Sequence, residues 1–190
     1  MEFHNVLDCK SKEAFYDWLK AHANIEDECW IICKKGKIKD DGEFYYIDAV
    51  YMALCFGWID SIHRKKDGVT LQKFGPRKKN SPWSELNKER CRWLIAHDLM
   101  TETGLAELPD MDAPFVIEPD ILELLQADDD IWTHFCSFPE LYRKIRISNI
   151  QRERKKPEVF NRMLNHFLAE TKIGKIYGEW NDGGRLPLNQ

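Results

Sequence analysis

The sequence lacks the features that mark membrane, fibrous and disulfide-rich proteins. No apolar run approaches the roughly 18 residues that a membrane span needs, and the first residues show no basic stretch followed by an apolar one, so we expect no export. Only 10 glycines and 8 prolines occur among 190 residues, too few for a collagen-like or disordered chain. The 6 cysteines form no dense framework, which predicts reduced thiols in a cytoplasmic protein.

What is present is typical of a globular protein whose charges are strongly segregated. Hydrophobic residues make up 43% of the chain and aromatic residues 12%, and the net charge is only −4. Residues 61–92 nevertheless carry a net charge of +7, residues 98–140 carry −12 and residues 141–160 carry +5. The acidic segment either covers the basic face, which is the interpretation we favour, or leaves it accessible to a larger polyanion.

The apolar spacing predicts an α+β fold: a small antiparallel sheet packed with helices, followed by a helical C-terminal subdomain. Ser11 is suited to cap a helix over residues 12–22, and Cys29–Cys33 is typical of a short strand. A buried helix is expected over residues 46–56, ending before Gly57. Alternation on both sides of Asp67-Gly68 predicts a hairpin.

The same patterns divide the chain into four parts. We expect an α+β core over residues 1–107, with a further helix from Pro82 to about His97 capped by Ser81, and a short helical stretch near 102–107. Three prolines indicate a linker over 108–119. The C-terminal subdomain is expected over 120–172, and its helices are predicted at residues 120–127, 139–150 and 158–171. Residues 173–190 form a tail.

The start of the predicted helix at Pro82 collects groups that suit an anion. Helix N-termini present unpaired N–H groups and partial positive charge. Side chains before and along this helix add guanidinium, hydroxyl, amide and indole groups, which suit a phosphate, a carboxylate or an acidic heteroaromatic ring. These residues are Arg77, Ser81, Trp83, Ser84, Asn87 and Arg90. In the alternative interpretation Trp83 is a core residue, Ser81 only a cap, and Arg90 a partner of Asp48 or Asp60.

A second group follows Gly57, where a buried helix gives way to a strand carrying an acid. Asp60 is expected to pair with Arg77 or Arg90 and so to back the anion pocket, beside Trp58. General-base catalysis by Asp60 is the less favoured alternative. Cys55 lacks a neighbouring base and is expected to be a packing residue. No catalytic residue is assigned, and neither a metal site nor a cofactor is expected.

Both groups carry a family resemblance. The motifs are Ala53-Leu54-Cys55-Phe56-Gly57-Trp58-Ile59-Asp60, Phe74-x-Pro76-Arg77 and Ser81-x-Trp83-Ser84-x-x-Asn87-x-x-Arg90. They resemble the YdeI/OmpD-associated family of bacteriocin-protection proteins, over about residues 3–107. The resemblance implies a small bacterial protein linked to an outer-membrane porin and to tolerance of antimicrobial peptides or bacteriocins. It implies no catalytic residues.

We therefore predict a cytoplasmic bacterial binding or stress-protection protein with a small-anion or phosphate pocket. One alternative is a nucleic-acid-binding protein that uses the basic segment 64–79, with Trp58 or Trp83 stacking on a base. The other is an enzyme that acts on a small anionic substrate with Asp60 or Asp48 as base. A porin-related partner is implied by the family name alone.

Overall fold

The computed structural model describes residues 3–186, so the last residues of the predicted tail, 187–190, lie outside the described part. Four strands are described: β1 (Val6–Leu7), β2 (Cys29–Ile31), β3 (Trp58–Lys66) and β4 (Val69–Pro76). The helices of the first half are α1 (Lys12–His22), α2 (Tyr46–Leu54), α3 (Glu85–Ala96) and α4 (Glu102–Ala106). Those of the second half are α5 (Pro119–Gln126), α6 (Asp129–Ser137), α7 (Glu140–Arg152) and α8 (Pro157–Lys172).

The strands form one sheet in the order β1-β2-β4-β3. β4 runs antiparallel to both of its neighbours, and β1 lies parallel to β2. The predicted α+β class is confirmed, with a sheet that is antiparallel except at its first edge. The sequence pattern does not predict β1, because a strand of two residues is too short to show alternation.

β3 and β4 form the predicted hairpin. Lys66 pairs with Val69, and the two residues between them, Asp67 and Gly68, have φ of 50° and 82°. Two successive positive φ angles are typical of a type I′ turn, whose twist matches that of the strands. A β-bulge interrupts the pairing between Asp60 and His63.

The far part of this hairpin extends beyond the rest of the sheet. β2 pairs with β4 only at Gln72–Phe74. Among the described residues, no third strand pairs with the hairpin beyond Gln72. Residues 63–71, which we call the ribbon, therefore form a two-stranded extension of the sheet, and Lys66 near its end contacts the ring of Phe3.

Local capping explains where α1 begins and corrects the predicted start of α3. Ser11 Oγ accepts the N–H of Ala14 at 3.2 Å, as predicted for a helix over residues 12–22. α3, however, begins at Glu85 and is capped by Ser84, whose Oγ accepts the N–H of Asn87 at 3.2 Å. Ser81 instead closes a turn with Lys78, because Asn80 has a φ of 64° that directs the chain out of the helical path.

The chain divides into two units. The first contains the described residues up to Pro82 together with Arg90–Met111. Its core lies between the sheet and the helices α1 and α2, where the ring of Phe15 lies 5.4 Å from that of Phe74 and 6.0 Å from that of Phe44. The side chains of Phe15 and Phe74 are fully buried there, so this core stabilises the fold mainly through its aromatic area. Trp30 is buried on the other face of the sheet, where its ring meets that of Phe3 at 4.8 Å.

The second unit contains Trp83–Glu89 and the described residues from Asp112 onward. α5 to α8 enclose a separate apolar core that includes Phe135, Tyr142 and Phe167. α6 is a helix that the apolar spacing does not predict. Its N-cap is Asp128, which accepts the N–H groups of Asp130 and Ile131, so an acidic run that resembles a solvated loop is in fact a helix start.

The helices within residues 3–186 are short or polar. None of them is both long enough and apolar enough to cross a bilayer.

Candidate functional site

A cluster of titratable side chains lies in the first unit, where the segment after β2, the start of α2 and the start of β3 meet. The hydroxyl of Tyr46 donates to Asp60 Oδ2 at 2.7 Å, and both side chains are half-buried. The ammonium of Lys35 lies 5.8 Å from the centre of the Tyr46 ring. Arg90 acts electrostatically on the same phenol. We call Lys35, Tyr46, Asp60 and Arg90 the Tyr46 cluster.

Tyr46 is positioned by a closed loop. The N–H of Lys34 donates to the carbonyl of Phe44, and the N–H of Tyr46 donates to the carbonyl of Lys34, both at 2.8 Å. These bonds bring the segment after β2 against the start of α2. Asp41 holds the intervening loop, because it accepts from Lys34 Nζ at 2.7 Å and from the Tyr45 hydroxyl at 2.9 Å. The pKa of Asp41 is lowered to about 2, first by the bond from Lys34.

The electrostatics of the cluster keep its phenol neutral. Burial raises the pKa of Tyr46, the Asp60 carboxylate raises it further, and the charge of Arg90 opposes both effects. The guanidinium of Arg90, whose residue is only 8% exposed, lies 6.0 Å from the Tyr51 ring centre. Tyr46 is therefore a protonated donor at neutral pH, hydrogen-bonded to the Asp60 carboxylate and close enough to Lys35 and Arg90 to feel their charge.

Cys33 borders the cluster as a protonated thiol. Burial raises its pKa to about 11, the charge of Lys35 lowers it, and that of Asp60 raises it. A thiol with a raised pKa is a weak nucleophile at neutral pH. The arrangement can thus bind a ligand through charge and hydrogen bonds, with Cys33 as a neutral neighbour.

Two predicted site residues, Asp60 and Arg90, do lie together in this cluster. Trp58 does not join them: it is 1% exposed, and its indole N–H donates to the carbonyl of Ala23 at 3.1 Å. Its ring also meets Trp18 edge to face at 6.0 Å. The prediction that a ligand or a base stacks on Trp58 is therefore wrong, because the ring is buried in the core and not accessible.

The remaining predicted residues are distributed differently. Arg77 donates to the carbonyl of Pro82 at 2.6 Å, so its guanidinium braces the turn before α3. Ser81 lies in that turn and not at a helix start. Trp83, Ser84 and Asn87 belong to the second unit, where Ser84 is the helix cap.

Asp48 and Cys55, the less favoured catalytic candidates, are buried within the fold. Asp48 is buried in the first turn of α2. Cys55 is buried, its Sγ donates to the carbonyl of Tyr51, and burial followed by the charge of Cys91 raises its pKa to about 12. Within the described ranges, no group of three or more acidic, histidine or cysteine side chains is suited to a metal ion.

Lys35, Tyr46 and Cys33 are site residues that the sequence motifs do not indicate. Lys35 and Tyr46 lie on opposite sides of the loop that Asp41 holds, and their proximity depends on the pairing of Lys34 with Tyr45. A tyrosine at the start of a helix matches no sequence motif that would mark it as a site residue. The apolar run that begins at Tyr46 was the only available indication, and it predicted a buried helix.

Comparison with known proteins adds one finding. A family model described as a domain of unknown function (DUF8412) matches residues 7–107. That range contains every residue of the Tyr46 cluster. No curated protein and no solved structure matches the chain.

Proposed function

The chain belongs to the DUF8412 family, a domain of unknown function, and we propose that it is a binding protein that holds a small anionic ligand at the Tyr46 cluster. The observation that carries the proposal is the 2.7 Å hydrogen bond between Tyr46 and Asp60, which lies beside two cationic side chains. The Ser84, Asn87 and Trp83 side chains belong to the other unit and do not enter the proposal.

The cluster also indicates the chemistry of the ligand. Lys35 is exposed and reaches over the Tyr46 ring, so its ammonium is accessible to an incoming phosphate or carboxylate. Asp60 accepts from Tyr46 and has further lone pairs for a donor on the ligand. Arg90 adds positive charge from the buried side. We therefore propose a ligand that combines one acidic group with at least one hydroxyl or amino donor.

A thermal-shift screen tests this proposal. Inorganic phosphate, nucleoside monophosphates and hydroxy acids are added to the wild-type protein, to Tyr46→Phe and to Lys35→Gln. A ligand present at about 100 times its Kd stabilises a folded protein by about 2.7 kcal/mol, which raises Tm by several degrees. We expect that rise in the wild type and its loss in both variants.

Lys39→Gln is the matched control, because it removes an exposed lysine from the same loop. The control should retain the full shift. A shift of equal size in the wild type and in Lys35→Gln, or no shift with any of these anions, contradicts the proposal.

The resemblance to the YdeI/OmpD-associated family supports a wider proposal: a stress-protection protein of the bacterial cytoplasm with a porin-related partner. Its support is the set of motifs over residues 53–60 and 74–90, together with free cysteine thiols, which suit a reducing compartment. Deleting the gene should raise sensitivity to antimicrobial peptides, and the Lys35→Gln protein should fail to restore tolerance. Unchanged sensitivity after deletion contradicts this role.

A further inference from the structure

The ribbon, residues 63–71, is a second feature that suits an anionic partner, and it lies outside the Tyr46 cluster. Three consecutive cations, Arg64, Lys65 and Lys66, are exposed on its outer strand. Alternate residues of a strand point to opposite faces. All three side chains are exposed, so positive charge is presented on both faces of the ribbon. On one face the ammonium of Lys66 also lies 5.5 Å from the centre of the Phe3 ring.

We propose that the ribbon binds double-stranded DNA through its phosphate backbone, with the tip entering the major groove. The major groove of B-DNA is about 12 Å wide and admits a two-stranded β-ribbon. Beyond Gln72 the ribbon has no third strand among the described residues, so its width is that of two strands. The deep and narrow major groove of double-stranded RNA does not admit such an element.

The ribbon is also preformed, which favours binding. Its strands are paired from His63 with Gln72 to Lys66 with Val69, and the turn at Asp67 and Gly68 has the φ angles of a type I′ turn. Three of these pairs lie beyond Gln72, and at about 3.3 Å per residue they give an extension of about 10 Å. An element whose strands are already paired loses less conformational entropy when it binds than an unpaired segment would.

The other basic residues of the predicted nucleic-acid segment lie elsewhere. Lys78 and Lys79 are exposed in the turn after β4. β4 has 8 residues, so these lysines lie about 26 Å along the hairpin from its tip. Lys73 lies between the two ends, but its ammonium is paired with Glu28. The ribbon is therefore an independent basic element and not part of one continuous patch.

A salt-dependent binding assay tests the proposal on the full chain. The probe is a fluorescent duplex of about 20 base pairs, measured by anisotropy from low to physiological salt. Each phosphate contact contributes about 0.9 to the slope of log affinity against log salt, so removing three cations should reduce that slope by about 2.7. We expect this loss in Arg64→Gln/Lys65→Gln/Lys66→Gln.

Two further variants keep the result specific. Lys10→Gln/Lys12→Gln/Lys20→Gln removes the same charge from exposed positions on and before α1 and should retain the slope. Lys78→Gln/Lys79→Gln separates the tip from the base of the hairpin and should leave most of the slope in place. Equal losses in the ribbon variant and the α1 control, or no binding of duplex DNA at low salt, overturn the proposal. Tighter binding to double-stranded RNA, an acidic peptide or an anionic vesicle than to duplex DNA also overturns it.

Discussion

Glu28, the residue before β2, joins three parts of the first unit. Its carboxylate accepts the indole N–H of Trp30 at 2.9 Å and is ion-paired with the ammonium of Lys73 on β4. Its main-chain carbonyl accepts from the side chain of Asn5 at 3.0 Å. The bond from Lys73, then that from Trp30, lowers the pKa of Glu28 below its ordinary value of 4.5. A lowered carboxyl pKa stabilises the folded state wherever the group is ionised.

The pH dependence of stability should therefore contain a contribution from Glu28. This contribution is complete above the unfolded-state pKa of about 4.5 and is lost as the pH falls through the lower folded-state value. Glu28→Gln should destabilise the protein at neutral pH, and its difference from the wild type should shrink as the pH falls below about 4.5. Urea unfolding across this pH range measures the effect.

Glu13→Gln, on the exposed side of α1, is the control for this experiment. It should leave the pH dependence of the wild type in place. A Glu28→Gln protein that differs from the wild type by the same free energy at every pH would show that Glu28 acts through packing alone.

At the scale of elements, the end of α2 is fixed by the start of α4. The main-chain carbonyl of Cys55 accepts both the N–H of Thr101, at 3.1 Å, and its hydroxyl, at 2.6 Å. Thr101 also caps α4 by accepting the N–H of Gly104 at 3.2 Å. One threonine thus satisfies groups at two helix ends.

Gly104→Ala should disrupt this junction. A Cβ at position 104 would overlap the carbonyl oxygen of Cys55, which is backbone and already accepts two bonds from Thr101. We expect a loss of about 1–3 kcal/mol, the range for overpacking a tight contact, measured by urea unfolding. Glu102→Ala, on the same short helix, should cost much less. Equal stability of Gly104→Ala and the wild type would mean that α4 moves freely from α2.

Sequence patterns predicted those elements whose start is decided locally. α1 was predicted with its cap, and the hairpin with its turn, because Ser11 and Asp67-Gly68 act on their immediate neighbours. The start of α3 was wrong by three residues, since Ser81 and Ser84 are equally good caps and the turn at Asn80 decides between them. No local rule distinguishes two such serines.

The candidate site was predicted only in part for a similar reason. Asp60 and Arg90 stand out as charged residues within apolar surroundings, so the sequence indicates that each needs a partner. Tyr46 and Lys35 come together only when the loop between them closes. Contacts made across such a loop depend on tertiary structure, which residue spacing does not contain.

At the scale of the whole molecule, the segregated charges of the sequence become local pairs within the second unit. Arg154 binds both Glu118 and Asp120 and lies 4.1 Å from the ring of Phe160. Lys172 pairs with Asp128 at 2.6 Å. Acidic residues of segment 98–140, whose net charge is −12, thus pair with basic residues from later in the chain. At least part of this negative charge is therefore neutralised within the second unit.

The cysteines should react in an order set by the whole fold. Cys136 is exposed, whereas Cys29, Cys55 and Cys91 are buried, and burial raises the pKa of each of these three thiols. Native protein treated with N-ethylmaleimide should therefore be modified at Cys136 first, and the three buried thiols should react only in urea. Mass spectrometry of timed samples measures this order. Rapid modification of Cys91 in the native protein would contradict the described packing.

The turn at Asp67 and Gly68 also has a practical consequence. A two-residue turn at the end of an exposed extension has few contacts to lose, and such loop tips tolerate inserted residues better than the sheet does. A short peptide tag or a fluorescent label placed between these two residues would leave the Tyr46 cluster untouched. The ribbon thus provides a site at which the first unit can be observed or immobilised without altering its core.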